Sequence, residues 1–274
     1  LIRTDVLKYF ADNDISWWGG NRPSGHTLSS QIACLNHLFA IRKDRDAVLS
    51  LLNGVRNEFK DVLPVKCDKE SAFIGFEVVS KDDHLNEKTC TRGSNCTSVD
   101  AFILARHREN DSVWLIPIEW KYTESYENQD KSNEDRDNEP KGSNGKGMER
   151  LRRYSGLIDA SAQLRSLESY AGSVYYQEPF YQLMRQTLWA ENIVKHKDTE
   201  VLEADDYLHI HVIPEDNRDL LDKRYKVSGK GMEETWREML ANQSKYVIIT
   251  PKKLMEPVAP RYPELTSYLM RRYW

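Results

Sequence analysis

Two apolar runs carry charges where charges are costly. Val99-Asp100-Ala101-Phe102-Ile103-Leu104 is followed by Trp114-Leu115-Ile116-Pro117-Ile118-Glu119-Trp120-Lys121, so an Asp, a Glu and a Lys interrupt segments that otherwise read as core strands. Side chains alternate along a strand, which puts Glu119 and Lys121 on one face with Leu115 and Pro117, and Ile116, Ile118 and Trp120 on the other. Burying a carboxylate or an ammonium costs several kcal/mol unless the group is paired or bound to a cation. The pattern therefore suits a site where a divalent cation is expected. Hydrolysis of a phosphodiester needs such a cation to activate water, and a positive side chain to offset charge in the transition state. Mg²⁺ accepts carboxylates, carbonyls and waters. Asp100, Glu119 and the backbone carbonyl of Trp120 supply those ligands, Lys121 supplies the side-chain charge, and Glu77, flanked by Phe76 and Val78, is a further carboxylate candidate.

The elements that must hold these residues follow from periodicity. Leu28 to Phe39 repeats apolar residues at helical spacing, with Ser29 or Ser30 as a cap, and Asp46 to Phe59 reads as a second amphipathic helix. Ala72–Val79, Ser98–Arg106 and Ser112–Tyr122 read as strands, and Asn110-Asp111 as the reversal of an antiparallel hairpin. Residues 128–147 have almost no apolar content and are expected to form a solvated, flexible insertion. Beyond it, helices over Tyr181–Val194, Met232–Ala241 and Glu264–Arg272 alternate with strands over Tyr207–Ile213 and Tyr246–Ile249. That alternation predicts a mixed α/β sheet with helices on both faces, and no linker divides residues 1–274 into two apolar halves.

Composition excludes some classes. The 274 residues are 39% hydrophobic and 30% charged, with a formal net charge of -4. No apolar run is long enough for a membrane-spanning helix and no signal-peptide pattern opens the chain, so a cytoplasmic location is expected, with Leu1 leaving open whether the native start is present. The acidic balance does not advertise nucleic-acid binding, yet local basic clusters such as Arg150-Leu151-Arg152-Arg153 keep it open. Cys34, Cys67, Cys90 and Cys96 lack zinc-site spacing and read as reduced thiols.

The chain resembles the PD-(D/E)XK nuclease superfamily: a leading helix at Gln31–Phe39, Ser98-Val99-Asp100 on one strand and Glu119-Trp120-Lys121 on the next. The stretches Leu28–Gln31, Leu85–Lys88, Thr91–Asp100, Ile118–Glu124 and Glu178–Leu183 look like those of bacterial restriction-endonuclease-like proteins within it. Val99 stands where the motif has Pro, and Gln31 where an acidic residue is common. The resemblance implies a restriction-endonuclease-like fold with an antiparallel meander, and a DNA endonuclease using Mg²⁺, or Mn²⁺ in its place. Asp100, Glu119 and Glu77 would be its acidic ligands, with the Trp120 carbonyl; Lys121 would be its catalytic lysine, and Gln31 and Gln182 supporting residues. DNA is then the expected partner, a homodimer is allowed and a membrane is not.

Blander readings stand beside these. Glu119 and Lys121 suit an exposed edge strand, Glu77 an ordinary surface acid, and Gln31 a helix residue bonding backbone. His209 and His211 alternate on one strand without a third ligand and read as satisfied strand histidines. Gln182 and Gln186 resemble a Gln-bearing helix that some of these nucleases place beside the metal, although core packing explains most of their helix. Trp17, Trp18 and Trp274 can stack on bases, but core use is commoner. The other functional class is a nuclease-fold protein that binds nucleic acid or a partner without cutting; intact Glu119 and Lys121 weigh against it.

Overall fold

The computed structural model describes residues 2–17, 22–23, 28–93, 96–135 and 145–274. Its elements in chain order begin with helices α1 (Arg3–Asp12), α2 (Ser30–Leu38) and α3 (Arg45–Val55), then strands β1 (Phe59–Leu63), β2 (Gly75–Val78), β3 (Val99–His107) and β4 (Val113–Trp120). Helices α4 (Lys146–Asp159) and α5 (Phe180–Lys195) lead to β5 (Asp206–Tyr207) and β6 (His209–Val212). The chain ends with α6 (Arg218–Leu221), α7 (Met232–Glu238), β7 (Tyr246–Ile249), α8 (Pro251–Met255) and α9 (Pro263–Arg272).

One mixed sheet of seven strands carries the molecule, in the order β1-β3-β4-β6-β7. Strands β1 and β2 lie end to end along one edge of β3, both antiparallel: Leu63 opposes Leu104, and Gly75 opposes Phe102. On the far edge of β4, β5 and β6 lie end to end in the same way, both parallel. The β3–β4 hairpin is antiparallel as expected. Its reversal works because Asp111 adopts a left-handed φ of 61° and the Asn110 side chain accepts from both the amide and the hydroxyl of Ser112.

Alternation along the strands divides the core into two layers. Ala101, Ile103, Ala105, Ile116, Ile118 and Trp120 pack with α1, α2, α3 and α8 on one face. Phe102, Leu104, Leu115 and Tyr207 pack with α4, α5 and α7 on the other. The parity expected for β4 thus holds, and the fold is the restriction-endonuclease-like mixed sheet flanked by helices. Among the described residues no helix is long and apolar enough to cross a membrane.

Several local expectations change. Helix α3 stops at Val55, and Phe59 opens β1 instead of closing the helix. Asn53 makes the break: its side chain donates to the Phe59 carbonyl and accepts from the Phe59 amide at 3.0 and 3.1 Å, so the polypeptide turns back toward the sheet. Trp17 is a core residue stacked on Phe10 at 3.8 Å, and Trp274 packs at the edge of the same core beside His37. Trp18 lies outside the described residues. The four cysteines are free thiols.

Within residues 128–147, Asn128, Gln129, Asn133 and Lys146 are exposed and Ser132, Gly145 and Gly147 are buried, while 136–144 lie outside the described residues. Ser132 is only 4% exposed, its amide and hydroxyl both donating to the Asp130 carboxylate, and the Lys131 amide donates to the Tyr176 carbonyl at 2.7 Å. Gly147 already belongs to α4 and donates to the Glu134 carbonyl at 3.0 Å. Polar residues here are buried by local hydrogen bonds, which a reading of apolar content misses. A Cβ at Gly147 would stand 2.1 Å from the Ser132 carbonyl oxygen. Gly147→Ala is therefore expected to destabilise the protein by about 1–3 kcal/mol, read from the urea midpoint; an unchanged midpoint would show that this contact carries no stability.

Candidate active site

The acidic residues meet where β3 and β4 part. Their ladder runs from the Arg106–Val113 pair to the Ala101–Ile118 pair, and beyond it Asp100 replaces backbone with side chain: its Oδ2 accepts the Trp120 amide at 2.7 Å. On its other edge β4 stays paired with β6, Ile118 opposing Ile210, Glu119 opposing His211 and Trp120 opposing Val212. Parting leaves a cleft of about 610 Å³ whose lining includes Glu77, Asp100, Glu119, Lys121, Gln182 and Gln186.

Glu77 reaches this cleft through a distorted backbone. It sits in β2 with a φ of 50°, between Phe76 and Val78, which oppose Ala101 and Val99. A left-handed glutamate costs about 1 kcal/mol and persists only when its surroundings impose it. Arg92 does so: its guanidinium donates to the carbonyls of Phe76 and Glu77 and is itself held by Asp68 at 2.9 Å. The Glu77 carboxylate accepts Gln31 Nε2 at 2.6 Å and Ser98 Oγ at 3.0 Å, with 7% of the residue exposed. Glu77 is thus no surface acid. Gln31 bonds a side chain, not backbone, with Ser29 capping its helix as expected.

Glu119 and Lys121 are equally removed from solvent, so an exposed edge strand is ruled out. Lys121 Nζ bonds Glu119 Oε1 and Gln182 Oε1, and Gln186 Nε2 donates to Glu119 Oε2. Helix α5 supplies both amides because Gln182 and Gln186 are four residues apart and share a face, while Leu183, Met184, Leu188 and Trp189 bury the remainder. Gln186 was visible in the sequence through that spacing. Ser98 was not, since a serine beside a strand carries no signal of its own. Trp120 points its indole into the opposite core layer and meets the site through its backbone.

Electrostatics follow from burial. Desolvation holds the Asp100 carboxyl well above the ordinary carboxylate range, reinforced by Glu119 and Glu77. Glu77 is also raised by burial, against the hydrogen bonds of Gln31 and Ser98. For Lys121 burial acts downward but is overcome by Glu119, with Tyr126, Glu124 and Asp100 beside it, so its ammonium is held well above its usual value. Carboxyls that resist ionisation around a single ammonium form a donor set that a divalent cation fits, because its charge would relieve their repulsion.

His209 and His211 lie on the strand beside Glu119 but outside the cleft lining. Burial lowers His209 to about 4 and His211 well below the ordinary imidazole value, so both are neutral. His211 Nδ1 shares a hydrogen bond with the Tyr246 hydroxyl at 2.7 Å, whereas both ring nitrogens of His209 are buried without a partner among the described residues. The expectation of satisfied histidines holds for one nitrogen of His211 and fails for His209.

The family model described as restriction endonuclease associating with ARP matches residues 1–274. The chain belongs to that family. No curated protein and no solved structure matches it. Membership in this restriction-endonuclease-like family agrees with the fold of the sheet and with the cleft at its parted strands.

The raised Asp100 carboxyl makes the metal-free protein pH-sensitive in a defined direction. Between the unfolded value near 4 and the raised folded value, the native state holds the additional proton, so stability falls as pH rises through that window. Asp100→Asn removes the penalty. Its melting temperature without metal is expected to exceed the parent's at about pH 8 and to converge with it near pH 4, and Mn²⁺ should stabilise the parent more than the variant. A constant difference across the pH range would refute the electrostatic account.

Proposed function

We propose that this protein is a divalent-metal-dependent DNA endonuclease of the PD-(D/E)XK type. The observation that carries the reading is the convergence of Glu77, Asp100, Glu119 and Lys121 in one cleft, from three different elements, with Glu77, Glu119 and Lys121 buried and Asp100 half-buried. A structural role alone would favour apolar residues at these positions, since buried ion pairs are at best neutral for stability. Membership in a restriction-endonuclease-like family supports the same chemistry.

In this reading Asp100, Glu119 and the Trp120 carbonyl hold Mg²⁺ or Mn²⁺, with Glu77 completing the acidic cluster. When bound, the ion supplies Lewis acidity toward the phosphodiester and toward water. Lys121 is already protonated and fixed by Gln182, so it presents charge and hydrogen-bond donors without reorganising. Gln186 fixes Glu119, and Gln31 and Ser98 fix Glu77, which holds the carboxylates apart before any ion arrives.

Glu119→Gln is expected to reduce Mg²⁺-dependent cleavage of supercoiled and linear DNA to background while the circular dichroism spectrum stays that of the parent. Cleavage retained by this variant would sink the assignment. Lys121→Ala separates binding from chemistry, because an ammonium at neutral pH donates but does not ligate. The variant should bind DNA in Ca²⁺ nearly as well as the parent and cut roughly 10²- to 10³-fold more slowly in Mg²⁺. Lys121→Arg should not restore the rate, since a planar guanidinium does not fit the compact position between Glu119 and Gln182. Normal cutting by the alanine variant, or loss of DNA binding, would remove Lys121 from the chemistry.

A further inference from the structure

Arg185 lies on the same face of α5 as Gln182 and Gln186 and lines the cleft with them. Four carboxylates, Glu77, Asp100, Glu119 and Glu124, line this cleft against two cations, Lys121 and Arg185. Lys121 is engaged by Glu119 and Gln182. Arg185 is held differently. Its guanidinium sits 4.9 Å from the centre of the Tyr181 ring, with Glu87 at 3.6 Å, beyond hydrogen-bond distance. The Glu87 oxygen nearest to Arg185, Oε1, already accepts the Thr97 and Tyr154 hydroxyls at 2.6 Å each, while Oε2 accepts the Thr97 amide at 2.6 Å. Arg185 Nε is buried without an acceptor among the described residues.

Neighbouring arginines show what a structural arginine looks like in this protein. Arg150, over the same Tyr181 ring at 5.6 Å, donates to Glu134 and to the Lys131 carbonyl. Arg92 donates to Asp68, to Tyr9 and to two backbone carbonyls. Among the described residues, Arg185 alone of the three is fixed in place by a ring and a charge at 3.6 Å, with no acceptor for its Nε. A guanidinium with a preset plane and free donors matches the oxygens of a phosphate, which it takes as a fork.

We propose that Arg185 is a phosphate-binding residue of the cleft, gripping a backbone phosphate of the nucleic acid beside the one placed at the carboxylates. The proposal rests on the nuclease reading above and deepens it. Tyr181 and Glu87 then act as positioning residues that hold the fork flat and leave its donors open. Arg185 has no part in holding the metal, so its loss should leave Mn²⁺ affinity intact.

The test is DNA binding by the full chain in Ca²⁺, titrated over a range of salt concentrations. Loss of one phosphate contact should reduce the slope of log affinity against log salt by about 0.9 for duplex or about 0.7 for single-stranded DNA. Arg185→Ala should show that reduction with Mn²⁺ binding unchanged, and Arg185→Lys, which keeps a charge beside Glu87 and guards against misfolding, should retain the parent slope but bind more weakly. A scan of oligonucleotides carrying one neutral methylphosphonate each identifies the phosphate. One position should weaken the parent and leave Arg185→Ala unaffected. An unchanged slope in Arg185→Ala, or a methylphosphonate pattern identical to the parent's, overturns the proposal while leaving the nuclease reading standing. A parent that binds no DNA overturns both.

Discussion

Three carboxylates brought together in one cleft repel one another, and much of the structure around the parted strands answers that repulsion. Glu119 is pinned between Lys121 and Gln186, Glu77 between Gln31 and Ser98, and Asp100 against the Trp120 amide. Each donor fixes an oxygen without neutralising the cluster as a whole. Helix α5 lies across β4 for this reason as much as for its apolar face, since its two glutamines reach the pair at the end of that strand. The fold tolerates the arrangement because the two core layers above and below the sheet are extensive.

Local polymer chemistry explains how the sheet opens at the right place. An antiparallel pair that continued past Ala101 and Ile118 would bring Asp100 and Glu119 face to face on adjacent strands, a destabilising juxtaposition of like charges. The β3–β4 ladder ends at this point, and the Asp100 carboxylate accepts the Trp120 amide, while the other edge of β4 stays paired with β6.

Much of this was legible in the residues. The parity of β4, the hairpin at Asn110-Asp111, the strand Tyr246–Ile249 and the helix around Tyr181–Val194 follow from periodicity, because one face of each is buried and the pattern records it. Asp100, Glu119, Lys121 and Glu77 stood out as charges in apolar runs, and all four line one cleft. What sequence could not carry was anything made by hydrogen bonds between distant segments. The stop after Val55 depends on Asn53 reaching Phe59, and the burial of Ser132 depends on Asp130 and on the docking of Lys131 under Tyr176. Ser98 and Arg185 are common residue types whose significance lies in what they face. Burial also conceals the neutral histidines behind Glu119: alternation places them on a strand, but only packing reveals that His209 has no hydrogen-bond partner among the described residues.

The left-handed turn at Glu77 reaches further than the cleft. Arg92, which imposes it, shares Asp68 with the Tyr9 hydroxyl, and that hydroxyl also accepts the Phe76 amide at 3.2 Å. The conformation of one acidic residue is thereby tied to the first helix of the chain, whereas Asp100 and Glu119 are held by the central hairpin and by α5. Glu77 is thus braced from two sides, by the pairing of β2 with β3 and by the N-terminal layer. Loosening of α1 would withdraw the Tyr9 hydroxyl from Asp68 and from the Phe76 amide, so the backbone that carries one carboxylate of the cluster depends in part on the docking of a segment that does not line the cleft.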